Sequence, residues 1–327
     1  MKTIGLLKDG RSLELRLLRS IPDDRYAEIA GLFRHKRPYL GHFEDFRRRG
    51  ARGALEGLEW RTYVGMVEER IVGTVCVWEH GGYGILGHVF TLPEFRRLGV
   101  AKAMMEFQDR DFASRSGKIM QLNTGFQGNA YDLYRSFGYE DSAGRLGSMV
   151  QQRREDEWDR MYRKGPVRAT SLRWKHWPSA NLLFLLENES YVRCAGMGIY
   201  GPNSIESWFC LNPARIGEAG ERRGERIEVL VSDRGAVAGW ASSLSDPNHA
   251  GKSRRRVFDL VFHPRFEKEV PKLLKRFSIP RRTLAYSTPE DPKNGYLEEL
   301  GFEESLSLPR YFQNGLALQV FEKKRIQ

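Results

Sequence analysis

Between Thr91 and Lys102 the chain places Arg96-Arg97-Leu98-Gly99-Val100-Ala101 directly after a strand-like run and directly before a helix-like one. Such a segment turns successive main-chain N–H groups toward one point at a helix N-terminus, where unsatisfied donors and the positive end of the helix dipole favour an anion. Gly99 and the small Ala101 let a bulky phosphate approach the main chain. The chemistry on offer is the holding of a pyrophosphate; an ordinary strand-to-helix turn with solvated arginines has the same composition, and the pattern alone does not separate the two. A second stretch, Phe33-Arg34-His35-Lys36-Arg37-Pro38-Tyr39-Leu40-Gly41-His42-Phe43, mixes cations with aromatic rings. It could receive a molecule bearing a carboxylate or phosphate, or simply face water. Cys76, Cys194 and Cys210 show no C-x-x-C spacing, so neither a disulfide framework nor a zinc site is expected, and no metal.

Strands and helices must position these residues. Leu13-Glu14-Leu15-Arg16-Leu17-Leu18 alternates as a first strand, and Ile21-Pro22-Asp23-Asp24 opens a helix with Tyr26, Ile29, Ala30 and Phe33 on its apolar face. An arginine-rich stretch covers 34–52. A hairpin follows, with strands at 63–67 and 71–78 around the polar Glu68-Glu69-Arg70. A strand over 85–91 leads into the arginine–glycine segment, and the helix beyond it carries Val100, Ala103, Met104 and Phe107 on one face. A strand at 119–123, a helix at 130–137 stopped by Gly138, and a strand at 147–151 complete the half. Charge concentrates over 153–165, which places a boundary there and gives domains of 12–160 and 166–327.

The second half repeats the first in outline. Gly73 matches Gly239, Pro93-Glu94-Phe95 matches Pro264-Arg265-Phe266, and Phe137-Gly138-Tyr139 matches Leu300-Gly301-Phe302, at offsets of 166, 171 and 163 residues. Three anchors in one order at near-constant offset indicate a tandem duplication.

The first half resembles the GNAT superfamily of acyl-CoA-dependent N-acyltransferases. Val89-Phe90-Thr91-Leu92-Pro93-Glu94-Phe95-Arg96-Arg97-Leu98-Gly99-Val100-Ala101-Lys102-Ala103-Met104-Met105 follows that family's strand, proline, Arg/Gln-x-x-Gly-x-Gly/Ala loop and helix. Ala130-Tyr131-Asp132-Leu133-Tyr134-Arg135-Ser136-Phe137-Gly138-Tyr139 resembles its A-x-x-L-Y-x-x-x-G-F motif. The resemblance covers residues 13–152, and the weaker repeat extends it over most of the chain. The expected fold is α/β of the α+β type: two tandem GNAT-like domains, each a mixed, mostly antiparallel twisted sheet flanked by helices.

The resemblance implies that the main chain of Val89, Phe90 and Thr91, in a splayed strand, holds the pantetheine arm and thioester carbonyl of acetyl-CoA. It implies that the main chain of Arg97, Leu98, Gly99, Val100, Ala101 and Lys102 cradles the pyrophosphate, with Arg96 beside it. Tyr134 matches the tyrosine that protonates the departing thiolate; a phenol with a pKa of ~10 stays protonated at neutral pH until a thiolate needs it. The family's asparagine, seven residues before that tyrosine, is Gln127 here, with Asn129 two residues later; either amide could contact the acyl donor. Attack on a thioester requires a neutral amine, so a base is needed. His88 is the candidate, with Glu79 and His80 behind it. Strict alternation puts His88 on the sheet face opposite Gly87 and Val89.

The repeat departs from this pattern. Pro264-Arg265-Phe266-Glu267-Lys268-Glu269-Val270-Pro271 has no glycine, places two carboxylates where an anion would sit and loses a donor at Pro271, while Leu297 stands where the first half has Tyr134. The second domain is expected to be a degenerate copy that binds no acyl-CoA in this mode.

Composition bounds the rest. The chain has 327 residues, 29% of them charged, with a mean hydropathy of −0.54 and no apolar run long enough to span a membrane. A cytoplasmic N-acetyltransferase, monomer or homodimer, is expected, acting on an unidentified primary amine that the basic stretch suggests is anionic. The net charge of +11 also leaves an aminoacyl-tRNA-dependent transferase of the same fold, or a non-catalytic protein binding acyl-CoA or, through Arg254-Arg255-Arg256 and Arg281-Arg282, nucleic acid. The intact arginine–glycine loop favours the acyl-CoA enzyme, and no membrane partner is expected.

Overall fold

Leucines 13 and 15 point into the core from one face of an alternating strand, while the two strands that follow it in the sheet are buried on both faces. The computed structural model describes residues 2–19, 21–34, 37–142, 145–222, 224–246 and 255–324. The chain divides into two compact units: the first takes in residues up to Ser142 with Leu146–Glu157 and Trp174–Pro178, the second Trp158–Arg173 and everything from Ser179 onward.

The first unit runs β1 (Lys2–Leu6), β2 (Ser12–Leu18), α1 (Asp23–Leu32), α2 (Arg37–Ala51), β3 (Glu59–Val67), β4 (Arg70–His80), β5 (Tyr83–Thr91), α3 (Val100–Ser114), β6 (Ile119–Asn123), α4 (Asn129–Ser136), β7 (Glu140–Ser142) and β8 (Arg145–Gln152). Its sheet order is β1-β2-β3-β4-β5-β6-β8-β7. The pairings described are antiparallel except β5 with β6, which run parallel.

One face packs on α3 and α4 through Tyr63, Val75, Val77, Leu86, Met104, Phe112, Met120 and Tyr134. Gly73 makes the close approach of α3 possible: a Cβ there would stand 2.7 Å from Met104 Cε and 2.9 Å from the Phe90 carbonyl. The other face is aromatic, with Phe46 of α2 against Trp60, Trp78, Trp174 and Trp177 at ring distances of 5.2–6.2 Å. Helix α2 falls in the arginine-rich stretch; it buries Phe43 and Phe46 while Glu44–Arg48 and Asp45–Arg49 pair along its outer side.

The chain continues through α5 (Glu157–Met161), β9 (Val167–Ser171), α6 (Trp177–Leu185), β10 (Val192–Cys194), β11 (Ile199–Tyr200), α7 (Glu206–Leu211), α8 (Glu218–Arg222), β12 (Arg226–Ser232), β13 (Val237–Ser245), β14 (Arg256–Phe262), α9 (Val270–Leu274), β15 (Leu284–Ser287), α10 (Lys293–Glu299), β16 (Phe302–Leu308) and β17 (Leu318–Lys323). The second unit's sheet is β16-β17-β15-β14-β13-β12-β9, with β14 and β15 its parallel pair. Read from β9, this is the order of the first unit read from β2, with the parallel step and the final strand exchange in the same places.

The anchors repeat in detail. Gly73 faces Thr91 as Gly239 faces Phe262, and Leu92 N–H donates to Val72 O as His263 N–H donates to Ala238 O, both at 2.9 Å. Gly138 and Gly301 follow the helices α4 and α10 at φ +79° and +75°. The two units are copies of one mixed, mostly antiparallel sheet flanked by helices. Among the described residues no helix is long and apolar enough to cross a membrane.

Candidate active site

The site begins with a break in the β4–β5 ladder. Thr74 pairs with Phe90 but Cys76 pairs with Gly87, so β5 carries one residue more than β4 across this step. The extra residue is absorbed at His88, whose φ of +50° lies in the left-handed region. The Thr74 hydroxyl donates to the His88 carbonyl at 2.8 Å and secures the bulge. Strand β5 pairs with β6 only at Tyr83, Gly84 and Ile85, and from Gly87 to Thr91 its residues are half-buried rather than buried. The main chain of Val89, Phe90 and Thr91 therefore runs past the described β6 pairing, with one edge released from the ladder.

The bulge overturns the alternation expected for His88. Its imidazole lies 4.8 Å from Phe33, 6.0 Å from Phe43 and 5.4 Å from Trp78, on the α1–α2 face, which is the face of Gly87. Val89 turns instead to the α3 face, where it packs against the core cluster of Val100, Met104 and Tyr134. One inserted residue shifts the period-2 pattern by a step, so both side chains exchange faces.

The loop follows from local signals. After a 3₁₀ turn at Pro93–Phe95, Arg96 is extended, Arg97 takes φ +63°, and Gly99 caps α3 at φ +99°. The first bond inside α3 runs from Ala103 N–H to Gly99 O, so the amides of Val100, Ala101 and Lys102 precede the helix ladder; no side chain caps them and no acidic residue lies in the first turn. A Cβ on Gly99 would meet nothing within 4 Å, so the space above this amide cluster is open. Arg96 Nε donates to Thr91 O at 3.2 Å and its guanidinium lies 5.7 Å from the Phe90 ring, tying the loop to the end of β5. Lys102 is exposed and pairs loosely with Glu106 at 3.9 Å. These features fit a pyrophosphate-bearing donor: consecutive helix-start amides, a glycine that leaves room, and arginines beside them.

Tyr134 points from α4 into the core cluster that holds Val89, Leu98 and Val100; it is 6% exposed and its ring lies 5.9 Å from Tyr139. The structure thus brings Tyr134, the bulged strand and the loop onto one side of the sheet. Gln127, exposed at φ +56°, and Asn129, exposed in the first turn of α4, stand just before Tyr134 in the chain. His88, Arg97 and Gln127 each hold a left-handed backbone, which costs a side-chain-bearing residue energy.

The remaining candidates lie elsewhere. Glu79 is buried between Arg61 Nε at 3.0 Å and the Arg115 guanidinium, with Tyr63 donating to nearby Asp111 at 2.6 Å. Burial, and the hydrogen bond to Asp111, push the Tyr63 phenol well above its usual value. A carboxylate held by two guanidiniums belongs to the scaffold under α3. His80 Nδ1 is occupied by Gly57 O at 2.9 Å. Of the basic aromatic stretch, Phe33 and Phe43 are buried, while His35 and Lys36, like Arg254 of the later basic run, lie outside the described residues. Among the described residues no group of three His, Cys, Asp or Glu side chains is arranged to hold a metal.

The second unit lacks each feature. The β13–β14 register is unbroken from Gly239–Phe262 to Ser245–Arg256, so β14 has no bulge. The 3₁₀ turn at Pro264–Glu269 gives way to a helix of five residues with Pro271 in its first turn, and Leu297 is buried in place of Tyr134.

Residues 59–141 match the family model described as an acetyltransferase (GNAT) domain. No curated protein matches the sequence. Similar solved structures include the PaiA N-acetyltransferase of Thermoplasma acidophilum in complex with coenzyme A, with 14% identity, 42% of this chain and 98% of that one covered, and a TM-score of 0.32. Another is the GNAT family N-acetyltransferase YhbS of Escherichia coli in complex with CoA, at 16% identity, 47% and 87% coverage and a TM-score of 0.36. A GNAT family acetyltransferase of Brucella melitensis in complex with acetyl-CoA has 16% identity, 43% and 88% coverage and a TM-score of 0.33. The family match spans the bulged strand, the arginine–glycine loop and α4, and residues 59–141 of this chain are a GNAT acetyltransferase domain.

Proposed function

We propose that the protein transfers an acetyl group from acetyl-CoA to a primary amine by direct attack in a ternary complex, using its first unit alone. The observation that supports this reading is that the residues matched by the acetyltransferase model contain, side by side, a bulged strand with a released edge, an uncapped cluster of helix-start amides and a core tyrosine.

In this reading the main chain of Val89, Phe90 and Thr91 orients the donor's pantetheine arm and thioester. The amides from Arg97 to Lys102 hold the pyrophosphate, with Arg96 beside it, and Gln127 or Asn129 adds an amide contact. His88, whose imidazole stands at the bulge on the α1–α2 face, takes the proton of the attacking amine. Tyr134 gives its phenolic proton to the sulfur as the tetrahedral intermediate collapses. Main-chain donors fixed before the reaction stabilise developing charge without reorganising. The acceptor is an amine entering from the α1–α2 face.

Release of free thiol from acetyl-CoA, followed over a panel of primary amines, tests the reading. Amine-dependent release is expected from the whole chain; release that no amine accelerates, alongside tight CoA binding, would reduce the protein to an acyl-CoA binder.

A further inference from the structure

Phe126 is the only exposed aromatic side chain among the described residues of the first unit, with 44% of its surface open to water. The loop that carries it, between β6 and α4, is held firmly. Thr124 N–H donates to Gly147 O at 2.8 Å, and a Cβ on Gly147 would stand 2.2 Å from Thr124 O, so the loop lies directly against the start of β8. The Phe126 ring meets the Tyr131 ring edge-on at 5.3 Å. Tyr131 is fixed in turn, because its hydroxyl donates to Asp141 Oδ2 at 2.5 Å while Asp141 Oδ1 accepts the Gly147 N–H at 2.8 Å. An apolar ring kept in water on a rigid support loses little freedom when a partner covers it, and it gains the burial.

Topology sets the place of this ring. Strands β5 and β6 run parallel, so the arginine–glycine loop that follows one and the Phe126 loop that follows the other lie at the same end of the sheet. Between them β5 is released from the ladder, because its pairing with β6 stops at Ile85 and Gln121. Tyr131 and Tyr134 stand on successive turns of α4, in the core cluster against which Val89 and Leu98 pack. Tyr131 is the one nearer the loop. A donor laid with its sulfur at Tyr134 and its pyrophosphate at the start of α3 therefore turns its nucleotide end toward Phe126. The one aromatic ring that acetyl-CoA carries is adenine, and flat rings stack on the free face of an aromatic side chain.

We infer that Phe126 is a donor-binding residue, whose free ring face takes the adenine of acetyl-CoA. The inference rests on the proposed acetyl-CoA site, whose other members hold the pantetheine arm and the pyrophosphate.

The probes are CoA and adenosine 3′,5′-bisphosphate, which keeps the base and lacks the pantetheine arm, each titrated calorimetrically into the whole protein. Phe126→Ser is expected to weaken both by the same factor, about tenfold, with the thermal midpoint unchanged. Phe126→Leu keeps an apolar side chain without a flat ring and is expected to lose as much, whereas Phe126→Trp is expected to bind at least as tightly as wild type. Full CoA affinity in Phe126→Ser or in Phe126→Leu would overturn the inference and leave the donor site standing. A loss seen with CoA and not with the bisphosphate would also overturn it, by setting the ring on the arm, as would a wild type that binds CoA and ignores the bisphosphate. Wild type silent toward CoA would remove the donor site itself and this contact with it.

Discussion

The Thr74 hydroxyl donates to the main-chain carbonyl of His88 at 2.8 Å, across the one step of the β4–β5 ladder where β5 holds an extra residue. A single side chain thus fastens the distortion that releases Val89, Phe90 and Thr91 from regular pairing. Thr74→Val keeps the shape and removes the donor, leaving the buried carbonyl short of a partner at a cost of about 1–3 kcal/mol. Denaturant unfolding is expected to register that loss, and acetyl-CoA affinity is expected to fall with it; a variant unchanged in both would show that the bulge holds without Thr74.

Tyr134→Phe removes only the phenolic oxygen from a ring packed in the α4 core. The expected result is acetyl transfer slowed by about 10²-fold or more with CoA affinity retained, the pattern of a lost general acid. Single-turnover thiol release compared with CoA titration separates the two quantities. A loss of affinity equal to the loss of rate would make Tyr134 a packing residue.

Under α3, Glu79 lies between Arg61 and Arg115 with its side chain 6% exposed. Removing one member of a buried ion pair strands its partners, at about 3–5 kcal/mol. Glu79→Ala is expected to lower the denaturation midpoint by that order while leaving CoA affinity of the folded fraction intact; a fall in affinity without a fall in stability would move Glu79 from scaffold to site.

In the second unit His263 stacks on Tyr162 at 4.2 Å, and burial, with Arg265 adding to it, pulls its pKa from the usual 6.5 down to about 4. Between those values the unfolded chain takes a proton that the folded chain refuses. Stability is therefore complete above pH 6.5 and falls as pH drops toward 4, by about 2–3 kcal/mol from this group. Hydrogen exchange of the β14 amides across that window is expected to show the slope in wild type and a flatter one in His263→Gln. Equal slopes would contradict the assignment.

Much of this was legible in the sequence because it depends on local rules. The hairpin of β3 and β4, the arginine–glycine loop with its αL glycine, the stop at Gly138 and the duplication all follow from turn residues, periodicity and spacing. Strand β1 was not legible, since Leu13–Leu18 reads as the first strand, although Asp9-Gly10 marks the turn between the two, with Gly10 at φ +84°. Other features depend on tertiary context. Arginines dominate α2, and only Phe43 and Phe46, three apart, record its buried face. The bulge at His88 is invisible to alternation, which assumes one residue per step, so that reading put two side chains on the wrong faces.

The central claim, a single working acyl-CoA site in the first unit, is tested most directly by calorimetric titration of acetyl-CoA into wild type, Gly99→Glu and Glu267→Ala. At Gly99 the backbone is left-handed and the space beyond is open, so a glutamate there strains the turn and sets a carboxylate among the pyrophosphate donors. The account predicts one site per chain, lost in Gly99→Glu and untouched in Glu267→Ala. Two equivalent sites, no binding by wild type, or full binding by Gly99→Glu would contradict it.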